Sequence, residues 1–412
     1  MKIVYLHQYF TTPKMAGGTR SYEMARRLAS NGHEVHMVTT RTSVAERRGL
    51  PRWDVEVIDG IHVHWLPVRY GNRMTYRRRM LAFAILARFA SRRARQLRGE
   101  VVFATSTPLT IALPALAAIH GTRTPMVFEV RDLWPQLPIA VGALNSPVLQ
   151  AAARTLERET YRRASAVVAL SPEMVDGVVA VDGKPDKVTL IPNSCDNDLF
   201  EVPSRRGEEF RAARPWLGDG PIVIYAGTLG YANGVSYLVR IARECRAAAP
   251  QVRFLVLGDG AEADAIRRLA DSEGVLGRNF FMEPFLPKER VPDAHSAATV
   301  CTTVFRPIRE LQANSPNKVF DALAAGRPIA VNHEGWIADL VREHRLGAVL
   351  DPHDPAAAAS ELVALLDDHE ALRLASQAAK RLALGPFSRD RLAHQLEAVL
   401  TSVKEPELVF ET

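Results

Sequence analysis

The sequence of 412 residues predicts an α/β protein made of two doubly wound domains of similar size. Short runs rich in Val and Ile alternate with helical patterns along the chain, which is typical of parallel sheets built from strand-helix-strand units. The length exceeds what one hydrophobic core usually holds. A segment with several Pro and Gly residues, 196–220, separates the two halves and predicts a linker.

The strands of both halves are predicted from their apolar runs. In the first half they are expected at residues 2–6, 34–39, 61–65, 101–105, 126–130, 166–170 and 188–191. In the second half they are expected at residues 221–226, 254–257, 279–282, 299–304, 329–331 and 348–350. We therefore expect a first domain at 1–195, a second domain at 221–385, and a C-terminal helix and tail at 386–412. Ligands of such sheets bind beyond the carboxyl ends of the strands, so two facing domains predict a site in the cleft between them.

Residues 315–329, S-P-N-K-V-F-D-A-L-A-A-G-R-P-I, predict a loop that opens into a helix. Pro316 suits the first helical position, where its missing N–H removes no hydrogen bond. The free amides of that turn and the positive end of the helix dipole favour an anion, and Lys318 adds a full charge there. Asp321 lies on the same helix face and is suited to accept hydrogen bonds from ribose hydroxyls. The pattern predicts a nucleotide diphosphate site, with an ordinary solvated surface helix as the alternative.

Glycine-containing loops follow several predicted strands. After the first strand, Gly17 and Gly18 precede a helix whose first turn holds Arg20. A Gly-Gly turn lets backbone amides approach a phosphate or sugar closely, and Arg20 is a candidate charged donor. In the second half, the loops at 226–230, 257–260 and 283–285 each follow a strand, on the same carboxyl edge as the Lys318 helix. A plain loop remains the alternative for the Gly-Gly turn.

The net charge of +6 arises in the N-terminal half. Positive charge is densest between Arg73 and Arg98, where arginines alternate with large apolar residues. A basic amphipathic helix of this kind suits an anionic membrane surface. The alternatives are an apolar stripe that faces the domain core and an arginine content that reflects composition alone. We expect no nucleic-acid partner, because neither a recognition motif nor an aromatic platform accompanies the charge.

The cysteines and the termini indicate the compartment. Cys195, Cys245 and Cys301 lie far apart without clustered histidines, so neither a disulfide framework nor a structural zinc site is expected. We expect no signal peptide, and the sequence contains no apolar run of membrane-spanning length. We expect a cytoplasmic protein, with peripheral attachment to the inner face of the cell membrane through the basic helix.

Several motifs in order along the chain carry a family resemblance. They are G-G-T-R-S-Y-E-M-A-R-R-L-A-S-N-G-H-E-V (17–35), E-V-R-D-L-W-P (129–135), I-P-N-S-C-D (191–196), Y-A-G-T-L-G-Y-A-N-G (225–234) and the segment 315–329. In these motifs the chain resembles the retaining glycosyltransferases of family 4, which have the GT-B fold, over essentially its whole length. Within them it most resembles the bacterial O-antigen and exopolysaccharide branch that includes the N-acetyl-fucosamine transferases.

The resemblance implies transfer of a sugar from a nucleotide-sugar, with a UDP-sugar favoured, to an acceptor hydroxyl. Such transfer retains the anomeric configuration and uses no bound metal or other cofactor. The C-terminal domain would hold the donor, and the N-terminal domain would hold a glycan or polyprenol-linked acceptor. The last helix, around 387–403, would cross back to the first domain. Three alternatives stay open: a transferase of the same fold acting on a soluble metabolite, a sugar-nucleotide epimerase, and a subunit that only binds the nucleotide-sugar.

The chain departs from the family pattern at the donor site. The two glutamates of the E-x7-E motif correspond to Ala313 and Asp321, so the sugar contact of the first glutamate is missing. In the family, a G-R pair and a K-G pair clamp the diphosphate. This chain has Gly227-Thr228 and Asn233-Gly234 instead, so both the arginine and the lysine are missing. Lys318 and the amides of its helix would then carry more of the pyrophosphate charge, with Arg20 or Arg131 reaching across.

The family's His-Asp pair reads Arg131-Asp132 here. Asp132 is the best carboxylate to position the substrate or to act as a base, with a buried partner of Arg131 or a loop cap as the alternative. His7, at the end of the first strand, is a candidate to line the cleft, although a packed or loop-capping histidine is the simpler interpretation. The residues expected to act in catalysis are Lys318, Asp132 and Arg131. The residues expected to bind the donor are Gly17, Gly18, Arg20, Gly227, Thr228, Asn233, Gly258, Asn317 and Asp321.

Overall fold

The computed structural model describes residues 1–15, 17–41, 53–68 and 76–404. The chain divides into two compact units. The first comprises Met1–Thr12, Thr19–Pro192 and the chain from Asp390 onward, and the second comprises Pro13–Gly18 and Asn193–Arg389. The main crossings of the chain therefore lie between Pro192 and Asn193 and between Arg389 and Asp390. Residues 405–412 of the predicted tail lie outside the described residues.

The first unit is built on a mostly parallel sheet. Its described strands are β1 (Lys2–Leu6), β2 (Glu34–Arg41), β3 (Asp54–Ile58), β4 (Ile61–Pro67), β5 (Val101–Thr105), β6 (Met126–Val130), β7 (Ala166–Ala169) and β8 (Val188–Leu190). They lie in the order β3-β4-β2-β1-β5-β6-β7-β8, and each adjacent pair is parallel except β3 with β4. Its helices before the first crossing are α1 (Arg20–Ser30), α2 (Tyr76–Leu97), α3 (Ala112–Ile119), α4 (Gln136–Ala140), α5 (Pro147–Arg163) and α6 (Pro172–Asp182). The strands β5 and β6 are buried at every residue, as expected for parallel strands covered on both faces.

The second unit contains a parallel sheet with helices between its strands. Its strands are β9 (Ile222–Ala226), β10 (Arg253–Leu257), β11 (Phe280–Glu283), β12 (Val300–Thr303), β13 (Ile329–Val331) and β14 (Gly347–Val349), in the order β11-β10-β9-β12-β13-β14. The helices are α7 (Asn197–Phe200), α8 (Ser204–Ala212), α9 (Ser236–Ala248), α10 (Ala263–Ser272), α11 (Val291–Ala297), α12 (Asn317–Ala324), α13 (Trp336–His344), α14 (Pro355–Asp367) and α15 (His369–Leu384). Two doubly wound α/β units were predicted, and this fold class is confirmed.

Two parts of the secondary structure differ from the prediction. Strand β3 was not predicted because it is an edge strand whose five residues are largely exposed, so it lacks the apolar run that marks a buried strand. The segment 196–220 was predicted as a linker, but it contains α7 and α8. Phe210 and Leu217 are buried in the core of the second unit, so this segment is part of that unit. Pro215 begins a short helical turn and Pro203 directly precedes α8, and both were misread as signs of an open linker.

The last helix, α16 (Arg389–Lys404), packs in the first unit. Its Leu392, Leu396 and Leu400 are buried in the same hydrophobic cluster as residues of β1, β2 and β5. At its end, Lys404 forms an ion pair of 2.9 Å with Glu100, which precedes β5. The helix therefore completes one face of the first sheet.

The basic helix α2 buries its apolar stripe against the first unit. The buried residues are Ala82, Phe83, Leu86, Ala87, Ala90 and Ala94. On the other side, Arg88, Arg92 and Arg95 are exposed, and Leu81 is 61% exposed. The buried side of α2 therefore agrees with the alternative in which the apolar stripe faces the domain core. Membrane docking through the exposed side stays a prediction. Arg73 and the side chains of residues 76–80 lie outside the described residues.

Candidate active site

Helix α12 begins at the carboxyl edge of the second sheet, after the loop that follows β12. Pro316 directly precedes the helix with an extended backbone (φ −74°, ψ 125°), and Asn317 is its first residue. The helix thus starts one residue later than predicted, since proline was expected in the first helical position. No side chain caps this start. The amides of Asn317 and Lys318 are therefore suited to an anionic ligand.

Lys318 is a partly buried cation without a carboxylate partner. Its Nζ lies 5.0 Å from the centroid of the Tyr225 ring. No carboxylate of the described residues forms an ion pair with it; the nearby Asp321 is paired elsewhere. Burial lowers the pKa of Lys318 to about 8, although the charge of Asp321 acts in the opposite direction. Because the cation is uncompensated, a diphosphate at this position would relieve the cost of its burial.

Gly227 and Gly258 let the loops after β9 and β10 approach each other and the lysine. Gly227 contacts the Lys318 side chain so closely that an added Cβ would overlap Cε. A Cβ on Gly258 would overlap the carbonyl oxygen of Gly227. Gly258 is buried, so its contribution is to the packing of the Gly227 loop, and direct donor contact through it stays a prediction.

The other predicted residues of this edge lie in the loop after β9. Thr228 is exposed, and its carbonyl oxygen accepts a hydrogen bond of 2.8 Å from the Tyr225 hydroxyl. Asn233 ends the short helical turn Tyr231–Asn233, where its N–H donates to the Gly230 carbonyl at 3.0 Å. Tyr225 was not predicted as part of the site. Its ring lies under Lys318 and its hydroxyl fixes the loop, but its position inside a buried strand gave no sign of either contact.

Asp321 has a counter-ion inside the unit. Its carboxylate forms an ion pair with Lys288, which is itself buried. The Lys288 Nζ also lies 5.1 Å from the centroid of the Phe200 ring. The Asp321 carboxylate therefore does not stand free. The predicted ribose contact stays a prediction, and a ribose would have to share the carboxylate with Lys288. Lys288 lies 33 residues earlier on another element, so helix spacing could not reveal the pair.

Arg20 is fully buried and is not available to a phosphate. Its Nε and one terminal nitrogen donate to Oε1 of Glu129 at 3.0 and 2.8 Å. The terminal nitrogens also donate to the carbonyls of Pro192 at 2.5 Å and Ile191 at 2.9 Å. This corrects the prediction of a donor contact: the guanidinium instead holds the chain just after β8. Its partner lies 109 residues away, which no local pattern discloses.

Glu129 is an ionised carboxylate in the core of the first unit. Burial by itself would raise the pKa of Glu129, but the charges of Arg20 and Arg131 and the hydrogen bonds from Arg20 and Thr105 lower it. Thr105 Oγ1 donates to its second oxygen at 2.6 Å. The pair of Arg20 with Glu129 is therefore a structural ion pair.

Gly17 and Gly18 lie in the loop between β1 and α1. Gly17 is exposed and has a φ of +139°, a conformation that glycine adopts much more easily than other residues. This backbone supports the predicted turn. A donor contact of the two glycines stays a prediction.

Arg131 and Asp132 follow β6, at the carboxyl edge of the first sheet. Thr107 Oγ1 donates to Oδ2 of Asp132 at 3.0 Å, and Thr107 has a φ of +105°, which β-branched residues rarely adopt. Burial raises the pKa of Asp132, while the Thr107 hydrogen bond and the Arg131 charge act against this. An Arg131 guanidinium nitrogen lies 3.4 Å from Nε2 of His7. Burial, aided by the Arg131 charge, lowers the pKa of His7 well below its usual value, so this buried ring is neutral.

Comparison with known proteins identifies the family. The description "Glycosyl transferase 4-like domain" matches residues 16–194, and "Glycosyl transferases group 1" matches residues 220–368. Both descriptions are of glycosyltransferase domains, and together they span most of the two units. The chain belongs to the GT-B glycosyltransferases.

Relatives and solved structures agree with this family. Over nearly its whole length, the glycosyltransferase is 23% identical to glycogen synthase of Mycobacterium tuberculosis (95% of this chain, 92% of the relative). It is 29% identical to D-inositol 3-phosphate glycosyltransferase of Xylanimonas cellulosilytica (92% and 90%). Sucrose-phosphate synthase of Thermosynechococcus elongatus has the same fold, with a TM-score of 0.77 at 18% identity and 98% of each chain covered. HepE of Anabaena, solved with UDP and glucose, gives a TM-score of 0.71 at 17% identity (98% and 100%).

The described residues of this glycosyltransferase show neither a metal-binding cluster nor a membrane-spanning helix. Within residues 1–15, 17–41, 53–68 and 76–404, no group of three or more His, Cys, Asp and Glu side chains is arranged to hold a metal ion. None of the described helices combines the length and the apolar character needed to cross a bilayer.

Proposed function

We propose that this glycosyltransferase moves a sugar from a UDP-sugar to an acceptor hydroxyl with retention of the anomeric configuration. The observation that carries the proposal is Lys318, a partly buried cation without a carboxylate partner on the uncapped first turn of α12. A nucleotide diphosphate supplies the missing negative charge. UDP is favoured because HepE, which shares the fold, binds UDP and UDP-glucose. One curated relative is named as GDP-mannose-dependent, so GDP is the competing base.

Departure of the nucleotide is assisted electrostatically in this proposal. The bond from the sugar C1 to the β-phosphate oxygen breaks, and negative charge develops on that oxygen. Lys318 and the first-turn amides of α12 stabilise the charge, and the Gly17-Gly18 turn contributes further amides. The acceptor oxygen bonds to C1 on the same face, and its proton passes to the departing phosphate. Metal chemistry is not needed for this step.

Asp132 and Arg131 act on the acceptor side in this proposal. The raised pKa of Asp132 suits a carboxyl group that positions the acceptor hydroxyl while the departing phosphate takes the proton. Asp132 as the base that takes this proton is the alternative. The Thr107 hydrogen bond fixes the carboxyl orientation. Arg131 supplies a positive charge beside this carboxyl group.

The proposed acceptor is a polyprenol-linked glycan in cell-surface polysaccharide or O-antigen assembly. Support comes from the exposed side of α2, where Arg88, Arg92 and Arg95 accompany the exposed Leu81. This combination suits the anionic inner surface of a bacterial membrane. The protein would then work in the cytoplasm as a peripheral membrane enzyme.

A soluble acceptor is the second candidate. The buried stripe of α2 favours it, because a helix packed by its apolar face does not need a membrane to be stable. Relatives named D-inositol 3-phosphate glycosyltransferase and 2-deoxystreptamine glucosyltransferase carry the names of soluble compounds. An epimerase or a binding-only subunit is less well supported, since the matched families are transferases.

The donor is tested by isothermal titration with UDP, GDP and their common sugar derivatives. Wild-type protein should bind one nucleoside diphosphate, and Lys318→Ala should weaken that binding by about 10² or more, as for loss of one stabilising charge. Lys380→Ala is the matched control, because Lys380 is an exposed lysine beside the C-terminal end of α12. Equal binding by wild type and Lys318→Ala would refute the assigned site.

The acceptor class is tested by sedimentation with phosphatidylglycerol and phosphatidylcholine vesicles. Wild type should bind only the anionic vesicles, and a variant with Arg88, Arg92 and Arg95 changed to Glu should not. The control changes Arg123, Arg154 and Arg158, exposed arginines elsewhere on the same unit, to Glu. Equal vesicle binding by both variants, or none by wild type, would favour the soluble acceptor.

A further inference from the structure

The chain crosses from the first unit to the second through residues 191–196, here called the crossing segment. On the first-unit side, Arg20 donates to the carbonyls of Ile191 and Pro192. On the second-unit side, Arg389 is buried and donates to the Ser194 carbonyl and to Asp196 Oδ2, each at 2.8 Å. Two buried guanidinium groups thus fix the backbone on either side of Asn193.

Asn193 joins this fixed segment to the loop that opens α12. Its side chain is 3% exposed, and its Nδ2 donates to the carbonyl of Ser315. Its backbone N–H donates to Ser315 Oγ at 3.3 Å. Ser315 is also buried and is the residue before Pro316. The carbonyl oxygen and the hydroxyl oxygen of Ser315 therefore both accept hydrogen bonds from Asn193 of the crossing segment.

The peptide that leads directly into α12 is held by this contact. One residue earlier, the indole N–H of Trp336 donates to the Asn314 carbonyl at 2.9 Å. Pro316 has no N–H and no polar side chain, and no side chain caps the helix. The orientation of the Ser315 carbonyl sets the peptide that leads into Pro316 and Asn317. A shift there displaces the first-turn amides and Lys318 together.

We propose that Asn193 is a positioning residue of the donor site, which holds the first turn of α12 in the geometry that binds a diphosphate. The inference rests on the proposed function, because it takes Lys318 and its helix amides as the diphosphate contacts. Asn193 acts through Ser315 and does not itself need to touch the donor.

Asn279 provides a closely matched control. It is 2% exposed, and its Nδ2 donates to the Ala242 carbonyl at 2.7 Å. In both Asn193 and Asn279, the side-chain Oδ1 has no hydrogen-bond partner among the described residues. Asn279 precedes β11, at the amino end of the sheet, and so lies at the opposite edge from the start of α12. Loss of either amide removes a similar buried hydrogen bond from the same unit.

The experiment measures UDP affinity by titration calorimetry, and stability by urea unfolding, for the Asp and Ala variants at both positions. The Asp variants keep the size of the side chain and replace the Nδ2 donor by an oxygen, but an ionised Asp also adds a negative charge. The Ala variants remove the donor without adding charge, so they decide the test. Asn193→Asp and Asn193→Ala should bind UDP about five- to tenfold more weakly, as expected for loss of one net hydrogen bond from the bound geometry. The Asn279 variants should lose comparable stability and keep wild-type affinity. GDP replaces UDP as the probe if wild type binds only GDP.

Lys318→Ala separates failure of the inference from failure of the proposed function. If Lys318→Ala weakens UDP binding and both Asn193 variants bind like wild type, the positioning role is overturned and the donor site stands. If Lys318→Ala binds UDP like wild type, the donor site is wrong and the inference falls with it. Should the Asn193 variants not fold, Ser315→Ala tests the second hydrogen bond of the contact, because it removes the Oγ that accepts from the Asn193 backbone N–H. Weakened UDP binding supports positioning through this contact, and unchanged binding counts against it.

Discussion

Replacing Lys318 with Met should stabilise the free protein at neutral pH and abolish donor binding. Burial lowers the pKa of Lys318 from 10.5 to about 8. One pKa unit corresponds to about 1.4 kcal/mol, so a shift of this size means that the buried charge destabilises the folded state by roughly 3 kcal/mol at pH 7. Met has a similar length and carries no charge, so Lys318→Met removes this penalty.

The stabilisation should depend on pH with a defined sign. Below about pH 8 both folded and unfolded Lys318 carry the proton, and the penalty is fully present. Between about 8 and 10.5 the unfolded chain binds a proton that the folded chain has released, so wild-type stability gains from this group as pH rises. The advantage of Lys318→Met is therefore largest at pH 7 and shrinks through this window.

Urea unfolding at pH 7 and pH 9.5 measures the difference. Lys380→Met is the control, since Lys380 is exposed on the same unit and should show no such pH-dependent gain. Apolar contacts of the new Met side chain add a stabilisation that does not change with pH, so the pH-dependent part is the test. A Lys318→Met protein whose stability relative to wild type is the same at both pH values would refute the burial argument. Added UDP should stabilise wild type and not Lys318→Met.

Three further perturbations test the remaining assignments. Arg20→Ala leaves Glu129 as a buried charge without its partner, so it should lower the free energy of unfolding by about 3 to 5 kcal/mol, measured by urea unfolding. A loss below about 1 kcal/mol would contradict the structural role of this ion pair. Gly227→Ala should weaken UDP binding by tenfold or more in calorimetry, because its Cβ displaces Lys318. The control Gly230→Ala has room for a Cβ and should bind UDP normally. Equal UDP binding by both variants would show that Lys318 is not confined by Gly227. If Asp132 acts as the base, kcat/KM should rise with pH through a pKa above the ordinary aspartate value, and this acid limb should be absent from the residual activity of Asp132→Asn.

The sequence was sufficient to predict those parts of the fold that are governed by local patterns. Buried parallel strands such as β5 and β6 are short apolar runs, and their bounds were predicted without error. Lys318 was predicted from the turn chemistry around Pro316. The structure places it against the Gly227 loop, because that loop and the start of α12 both lie at the carboxyl edge of the second sheet. Strand β3 was not predicted because its residues alternate between apolar and acidic and form no continuous apolar run of the kind used to predict the other strands.

Long-range ion pairs account for the errors at the candidate site. Arg20 lies in a first helical turn, where an arginine that binds a phosphate and one that pairs with a distant carboxylate have the same local sequence. The decisive partner, Glu129, is brought near only by the order of strands in the sheet. The same holds for Asp321 and Lys288. Charged residues therefore need the tertiary fold before a ligand role can be assigned.

The placement of α16 has a consequence for biosynthesis. During translation, residues 193–389 leave the ribosome before Leu392, Leu396 and Leu400, which complete the hydrophobic cluster of the first unit. The N-terminal part of the chain must therefore wait, with an uncovered apolar face, until the whole second unit has been synthesised, and the usual order in which the N-terminal domain finishes folding first does not apply. A nascent chain that stalls before Leu392 exposes that face to chaperones and to other chains, so aggregation on slow translation is expected to begin from the first unit.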